Sequence, residues 1–249
     1  MGSSSPTRLG FLYPGHAAED DFPRLARLLS PPVVAEVVHT ELGEHGDVHT
    51  IEALRDMGER ARLAAGAAQL RQLGVAAAVW ACTSGSFVYG WDGAHDQADA
   101  LSGSLGAPAS SASLAFVRAA RAMGLRRIVV AATYPDDVAE SFVAFLTDGG
   151  IEVAALSAAG IKTATEAGHV GGDAVADMVR AADRPHADAV LVPDTALHTV
   201  DALPDVEAQL GKPVLTANQV CVWEALRLIG VDGAAKHAGR LFASSRVEG

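Results

Sequence analysis

The chain has 249 residues, 49% of them hydrophobic and 5% aromatic, with 30 acidic against 19 basic side chains and a formal net charge of −11. That length can bury a large core and accommodates two lobes of ordinary size. So acidic a surface repels nucleic acid and anionic membranes, which excludes both as expected partners and means that an anionic substrate needs a site built locally from protein groups.

The opening Met1-Gly-Ser-Ser-Ser-Pro6 has neither a basic start nor an apolar run after it. Residues 1–7 are therefore expected to be a disordered end or an expression remnant rather than a signal peptide. From there short apolar runs of strand type alternate with amphipathic helical patterns. Strands are expected at 9–13, 33–39 and 76–81, with a helix over 51–73 before the third of them. A helix over 112–123 then leads to a strand at 127–132, a helix over 136–147, and a strand at 152–156. A helix over 172–182, strands at 189–193 and 213–216, and a helix over 220–228 complete the series. Continuous apolar strands separated by helices predict an α/β fold with parallel sheets covered on both faces. The longest apolar runs fall well short of a membrane span, and two cysteines, Cys82 and Cys221, cannot build a disulfide framework. The expected location is the cytoplasm.

The chain also echoes itself. Leu9-Gly-Phe-Leu-Tyr-Pro14 has a counterpart in Arg127-Ile-Val-Val-Ala-Ala-Thr-Tyr-Pro135, and Ala76-Ala-Ala-Val-Trp-Ala-Cys-Thr83 in Asp188-Ala-Val-Leu-Val-Pro-Asp-Thr195. Ala107-Pro-Ala-Ser-Ser-Ala112 likewise matches Lys212-Pro-Val-Leu-Thr-Ala217. Two pseudo-symmetric lobes follow, each a parallel sheet flanked by helices, with residues 8–112 and 213–241 in the first and 113–212 in the second. Open parallel sheets bind ligands beyond the carboxyl ends of their strands. Two such ends facing each other enclose an active site between the lobes, with Cys82 and Asp194 approaching it from opposite sides.

Cys82-Thr-Ser-Gly-Ser86 follows a buried strand and precedes a helix-compatible segment. A helix N-terminus and exposed turn amides stabilise thiolate, so Cys82 is expected to be the reactive group. Thr83 and Ser84 can hold a carboxylate or a developing enolate. Asp194 is a candidate general acid or base, and equally a helix N-cap. Tyr134 can donate to a substrate oxygen. Pro14, His16 and Thr195 sit at or just beyond the strand ends and are grouped with it as substrate-binding candidates; His198 and Asn218 are further ones. Cys221 falls in an apolar helix and reads as core.

No metal site is expected. His39, His45 and His49 lie among acidic neighbours, yet their spacing does not put two on one helix face beside a clear third ligand. A Gly-x-Gly-x-x-Gly after the first strand, a P-loop and a Gly-x-Ser-x-Gly elbow are all missing, so cofactor-dependent hydride or phosphoryl chemistry and an α/β-hydrolase are disfavoured.

Ala81-Cys-Thr-Ser-Gly-Ser-Phe-Val-Tyr-Gly90, Leu197-His-Thr-Val-Asp-Ala-Leu-Pro204 and Val206-Glu-Ala-Gln-Leu-Gly-Lys-Pro-Val-Leu-Thr-Ala217 resemble the aspartate/glutamate racemase superfamily, in its maleate cis-trans isomerase and arylmalonate decarboxylase branch. The resemblance runs from Arg8 to about Leu241. It implies a cofactor-independent enzyme with two pseudo-symmetric lobes. Racemases of this group use one cysteine from each lobe. Isomerases add the first-lobe cysteine to a double bond, and decarboxylases keep only the second-lobe cysteine, as proton donor, holding the carboxylate on Thr, Ser and Tyr. Thr83, Ser84 and Tyr134 match that anion-binding set, and Cys82 matches the first cysteine. Asp194 stands where the second cysteine would be. Pro14-Gly-His-Ala17 stands where isomerases carry an asparagine.

The leading expectation is thus an isomerase of a small dicarboxylic acid, with Cys82 thiolate adding to the substrate. The first alternative is an arylmalonate-type decarboxylase of a substituted malonate, with Cys82 as proton donor. The second is a non-catalytic ligand-binding homologue. A homo-oligomer is compatible with all three.

Overall fold

The computed structural model describes residues 6–243. Its elements run β1 (Thr7–Pro14), α1 (Asp21–Leu28), β2 (Leu29–Ser30), β3 (Val33–Thr40), α2 (Ile51–Met57), α3 (Arg60–Gln72), β4 (Ala77–Trp80), α4 (Ser84–Phe87), α5 (Gly90–Leu105), β5 (Ala109–Ser111) and α6 (Ala112–Ala122). The second half follows with β6 (Arg127–Ala132), α7 (Asp136–Asp148), β7 (Glu152–Ala158), α8 (Ala164–Gly168), α9 (Gly172–Ala182), β8 (Ala189–Val192), α10 (Leu203–Leu210) and β9 (Val214–Thr216). The chain closes with α11 (Ala217–Leu228), β10 (Ala234–Ala235) and α12 (Arg240–Ala243).

Two four-stranded sheets form, in the orders β3-β1-β4-β5 and β7-β6-β8-β9, and every strand pair in both is parallel. Each half builds its sheet the same way: the first strand is central, the second lies to one side, and the third and fourth lie to the other. The direction of winding therefore reverses between β1 and β4, and again between β6 and β8. A crevice opens at such a switch point because the loops on its two sides lead away to opposite faces of the sheet. Four of the six echoed motifs sit at these strand ends, and the other two at β5 and β9.

Several expected boundaries shift for identifiable reasons. Of the opening segment, residues 1–5 lie outside the described residues, while Thr7 already pairs with Val33 in β1. The helix expected over 51–73 breaks into α2 and α3 at Gly58. A side chain there would meet the Gly85 carbonyl oxygen at 2.3 Å and Gln97 Nε2 at 2.8 Å, so the backbone at 58 presses on the loop that follows Cys82. The chain was expected to return to the first lobe at 213, but Val214–Thr216 pairs with β8 as the outer strand of the second sheet. It returns one element later, as α11, which packs against α6 and β4.

Core packing ties the halves together. One continuous buried cluster contains Trp80, Phe87 and Phe116 from the first half with Ile128, Phe142 and Leu191 from the second. Phe87, in the short helix after Cys82, packs against both Tyr134 and Phe142 at ring-centroid distances of 5.9 and 5.2 Å. On the far side, Glu224 of α11 is fully buried and binds Arg118 of α6 and Arg227. Among the described residues, no helix is long and apolar enough to cross a membrane.

Candidate active site

Cys82 lies two residues beyond β4, where the chain turns into α4. Its thiol is 4% exposed and accepts a hydrogen bond from the Gly85 amide at 3.3 Å. Ser84 Oγ and Met57 Sδ each stand 3.8 Å from the sulfur. A helix N-terminus was expected to favour thiolate here. The structure reverses this: burial, reinforced by the charge of Asp194, pushes the thiol up to about 11 against the lowering effect of Gly85 and Ser84. α4 has four residues, too few to build a dipole that offsets such desolvation. At neutral pH Cys82 is a thiol.

Asp194 holds the corresponding place two residues beyond β8. One carboxylate oxygen accepts from the Thr133 hydroxyl, and the other accepts from the Ala196 amide at 2.9 Å. The helix it was expected to cap does not begin there; a turn intervenes, and α10 starts only at Leu203. The carboxylate is 4% exposed and locked from both sides.

Cys82 and Asp194 line one cavity between the two sheets, as expected from the internal echo. Pro14, Ser84 and Thr195 line it too. The rest of its wall combines apolar Ala17, Leu42, Leu54, Met57, Ala164 and Ala196 with Tyr13, Asp47 and His49. Among the described residues, no lysine or arginine lines it. The enclosed free space is about 20 Å³, room for about one water molecule.

Thr83 and Tyr134 are buried beside it. The Tyr134 phenol donates to the Pro193 carbonyl at 2.8 Å, and the hydroxyls of Ser84 and Thr83 are close enough to stabilise its ionised form. Burial, and then the charges of Asp194 and Cys82, hold that phenol far above its usual value, so it is a permanent donor. Thr83 Oγ1 is buried and, apart from its approach to the Tyr134 phenol, has no hydrogen-bond partner. An unpaired buried hydroxyl is costly, and at a cavity edge it points to a ligand as the missing partner.

Three sequence candidates are elsewhere. His16 is on the surface, paired with Glu19 at 2.8 Å. His198 Nε2 contacts Asp20 at 2.8 Å, also at the surface. Asn218 is buried, donating to Asp21 and to the Leu197 carbonyl, and it braces the loop after Asp194 rather than facing the cavity. In return the cavity recruits residues the sequence reading passed over. Tyr13 is the echo of Tyr134 and does the mirrored job: its phenol donates to the Thr195 carbonyl at 3.0 Å, as Tyr134 does to Pro193. That pairing was visible in the repeated Tyr-Pro at 13–14 and 134–135. Asp47 and His49 come from the loop after β3, which reaches across to the second half. Val48 bridges to Thr163, the His49 amide donates to Lys162 O at 2.7 Å, and Asp47 accepts from the Thr165 amide at 2.8 Å. This clasp closes the cavity.

A family model described as arylmalonate decarboxylase matches residues 52–242. The chain belongs to the arylmalonate decarboxylase family. An arylmalonate decarboxylase from Bordetella bronchiseptica is 35% identical to it over 143 residues, which is 56% of this chain and 60% of that protein. A maleate isomerase from Geobacillus stearothermophilus is 27% identical over 158 residues, 61% of this chain and 63% of that protein. The aligned region thus spans less than two thirds of these curated relatives. Across whole folds the likeness extends further. A liganded crystal structure of arylmalonate decarboxylase, in a variant with one glycine-to-cysteine and one cysteine-to-serine exchange, superposes with a TM-score of 0.85 at 28% identity. That superposition covers 97% of this chain and all of that one. This family member thus shares the two-sheet architecture of that decarboxylase, and its relatives include a protein named maleate isomerase.

Proposed function

We propose that the chain is a decarboxylase of substituted malonates, with Cys82 as the proton donor. What carries this reading is the state of Cys82: a protonated thiol, walled off from water and facing a carboxylate at Asp194, with no second thiol across the cavity. A resting thiol is ready to protonate a carbanion, whereas addition to maleate first requires a base to remove that proton.

The chemistry follows from the walls. One substrate carboxylate is placed on Ser84 at the cavity wall, with Thr83 beside it and Tyr134 turning its donor from the Pro193 carbonyl to the same oxygens. The other meets the apolar side, where an ionised carboxylate loses its hydration and is raised in energy relative to neutral CO₂. The bond between that carboxyl carbon and the α-carbon breaks, CO₂ departs, and the electron pair passes into an enediolate on the retained carboxylate. The three hydroxyl donors stabilise that developing charge. The Cys82 S–H then delivers its proton to the α-carbon, and solvent reprotonates the sulfur when the cavity opens. An apolar substituent on the malonate suits Leu42, Leu54 and Met57. Maleate offers no such group. Substrate access requires the clasp between residues 47–49 and 161–165 to part, since the closed cavity is far smaller than a substrate.

Incubating the protein with phenylmalonate and with maleate, each followed by proton NMR, separates the readings. Phenylacetate and CO₂ from the first and no change in the second is the expected result. Fumarate formation would restore the isomerase reading, in which Cys82 adds to the double bond. No turnover of either would favour a ligand-binding homologue.

A further inference from the structure

A second chemical site lies on the surface near the mouth of the cavity. His16 Nδ1 stands 2.8 Å from Glu19 Oε1, and His39 Nε2 stands 3.6 Å from the same oxygen. One ligand atom from each of the three lies within 4.8 Å of the others. Tetrahedral zinc, with bonds of about 2.0–2.1 Å, places its ligands about 3.4 Å apart, so small side-chain movements suffice to converge these atoms on one ion. The two imidazole rings are in edge contact, with centroids 3.9 Å apart at 81°.

The scaffold is firm. His39 is on β3, and His16 follows β1 in a loop that turns at Gly15 (φ +61°), whose amide donates to Thr40 O at 3.4 Å. Glu19 Oε2 accepts from the Ala17 amide at 2.8 Å, which aims Oε1 at the histidines. Two imidazoles with one carboxylate select a divalent transition metal over calcium or magnesium.

We propose that His16, Glu19 and His39 form a binding site for a divalent transition-metal ion of the zinc class, distinct from the Cys82 cavity. The site is coupled to that cavity by position. Ala17, between His16 and Glu19, lines the cavity, and Gly168 of the second half packs against it. His169 lines the same surface pocket as His16 and Glu19. In the sequence His39 groups with His45 and His49. Instead His45 faces Glu52 and His49 turns to the Ile161 carbonyl, while His39 takes its partners from a neighbouring loop.

The test is titration of the full chain with Zn²⁺ by calorimetry and with Co²⁺ by visible absorption, repeated in His16→Ala, His39→Gln and Cys82→Ala. The expected result is one ion per chain, with Co²⁺ d–d bands and no thiolate charge-transfer band. His16→Ala and His39→Gln should each weaken binding by roughly tenfold or more, and Cys82→Ala should leave it unchanged. His16 is 73% exposed, so its loss leaves folding intact, which circular dichroism checks. Wild-type affinity in both histidine variants, or binding that disappears in Cys82→Ala, would overturn the assignment.

Discussion

The loops after β4 and β8 occupy equivalent places in a repeated half, and they are chemically opposite. The first carries a thiol in contact with only weak partners, then a threonine hydroxyl with no hydrogen-bond partner beyond its approach to Tyr134, then a helix of four residues. The second carries a carboxylate held on both oxygens, followed by a turn. One loop is left chemically unfinished, the other is saturated. Duplication of a fold thus supplies two positions aimed at one cavity, and divergence assigns the mobile proton to one and a fixed charge to the other. Burial is the main reason the thiol stays protonated, with a smaller push from that carboxylate.

Breaking the first loop should cost most. Cys82→Ala is expected to lower kcat by about 10³-fold or more without loss of fold, as judged by phenylmalonate turnover and circular dichroism. Thr83→Ala removes one of the proposed oxyanion donors and should reduce kcat/KM by about a hundredfold. Because that hydroxyl has no hydrogen-bond partner in the folded protein beyond its approach to Tyr134, thermal stability should hold or rise. A drop in both would make Thr83 merely structural.

Gly58→Ala tests whether the backbone under the Cys82 loop needs its close approach. The added methyl collides with the Gly85 carbonyl, so activity should fall about tenfold. The melting transition should reflect about 1–3 kcal/mol of lost stability. Asp194→Cys makes the loops alike. A prochiral disubstituted malonate should then give product of reduced enantiomeric purity on a chiral column, since protons arrive from both faces. Unchanged purity would mean that position 194 does not reach the α-carbon.

The smallest effect is on the resting thiol. Its pKa is displaced upward to about 11, so Cys82 is neutral below that pH and thiolate only above it. Alkylation by iodoacetamide should be slow at pH 8 and rise toward pH 11, rather than near the free-thiol value of about 8.5. Asp194→Asn should move that rise to lower pH. By the same linkage, burying the thiol stabilises the fold fully below about pH 8.5, and this contribution is lost as pH climbs through about 11.

The strands of both sheets could be read from local pattern because β-branched and aliphatic runs buried on both faces have no other stable place. The expected strand at 127–132 coincides with β6, and the helix at 172–182 with α9. α5 was missed, since Gly90, Gly93 and Gly103 dilute its helical pattern and only packing against α3 and β5 stabilises it. Cys82, Thr83, Ser84, Tyr134 and Asp194 were legible as strand-end residues in a repeat, and Tyr13 was legible from the same repeat. His16 was misassigned because adjacency to a strand end does not say which way a loop turns.

By itself, then, the sequence determined the α/β class, the duplication, the family branch and the strand-end residues, all of which depend on local hydrophobic period and repeated motifs. Only the tertiary structure decided three further matters. It closed the cavity with Asp47 and His49 from a distant loop, gathered His16, Glu19 and His39 at its rim, and turned Cys82 from an expected thiolate into a thiol. Each depends on how much water is excluded and which charges face one another across the two sheets, and those are properties of packing between residues far apart in the chain.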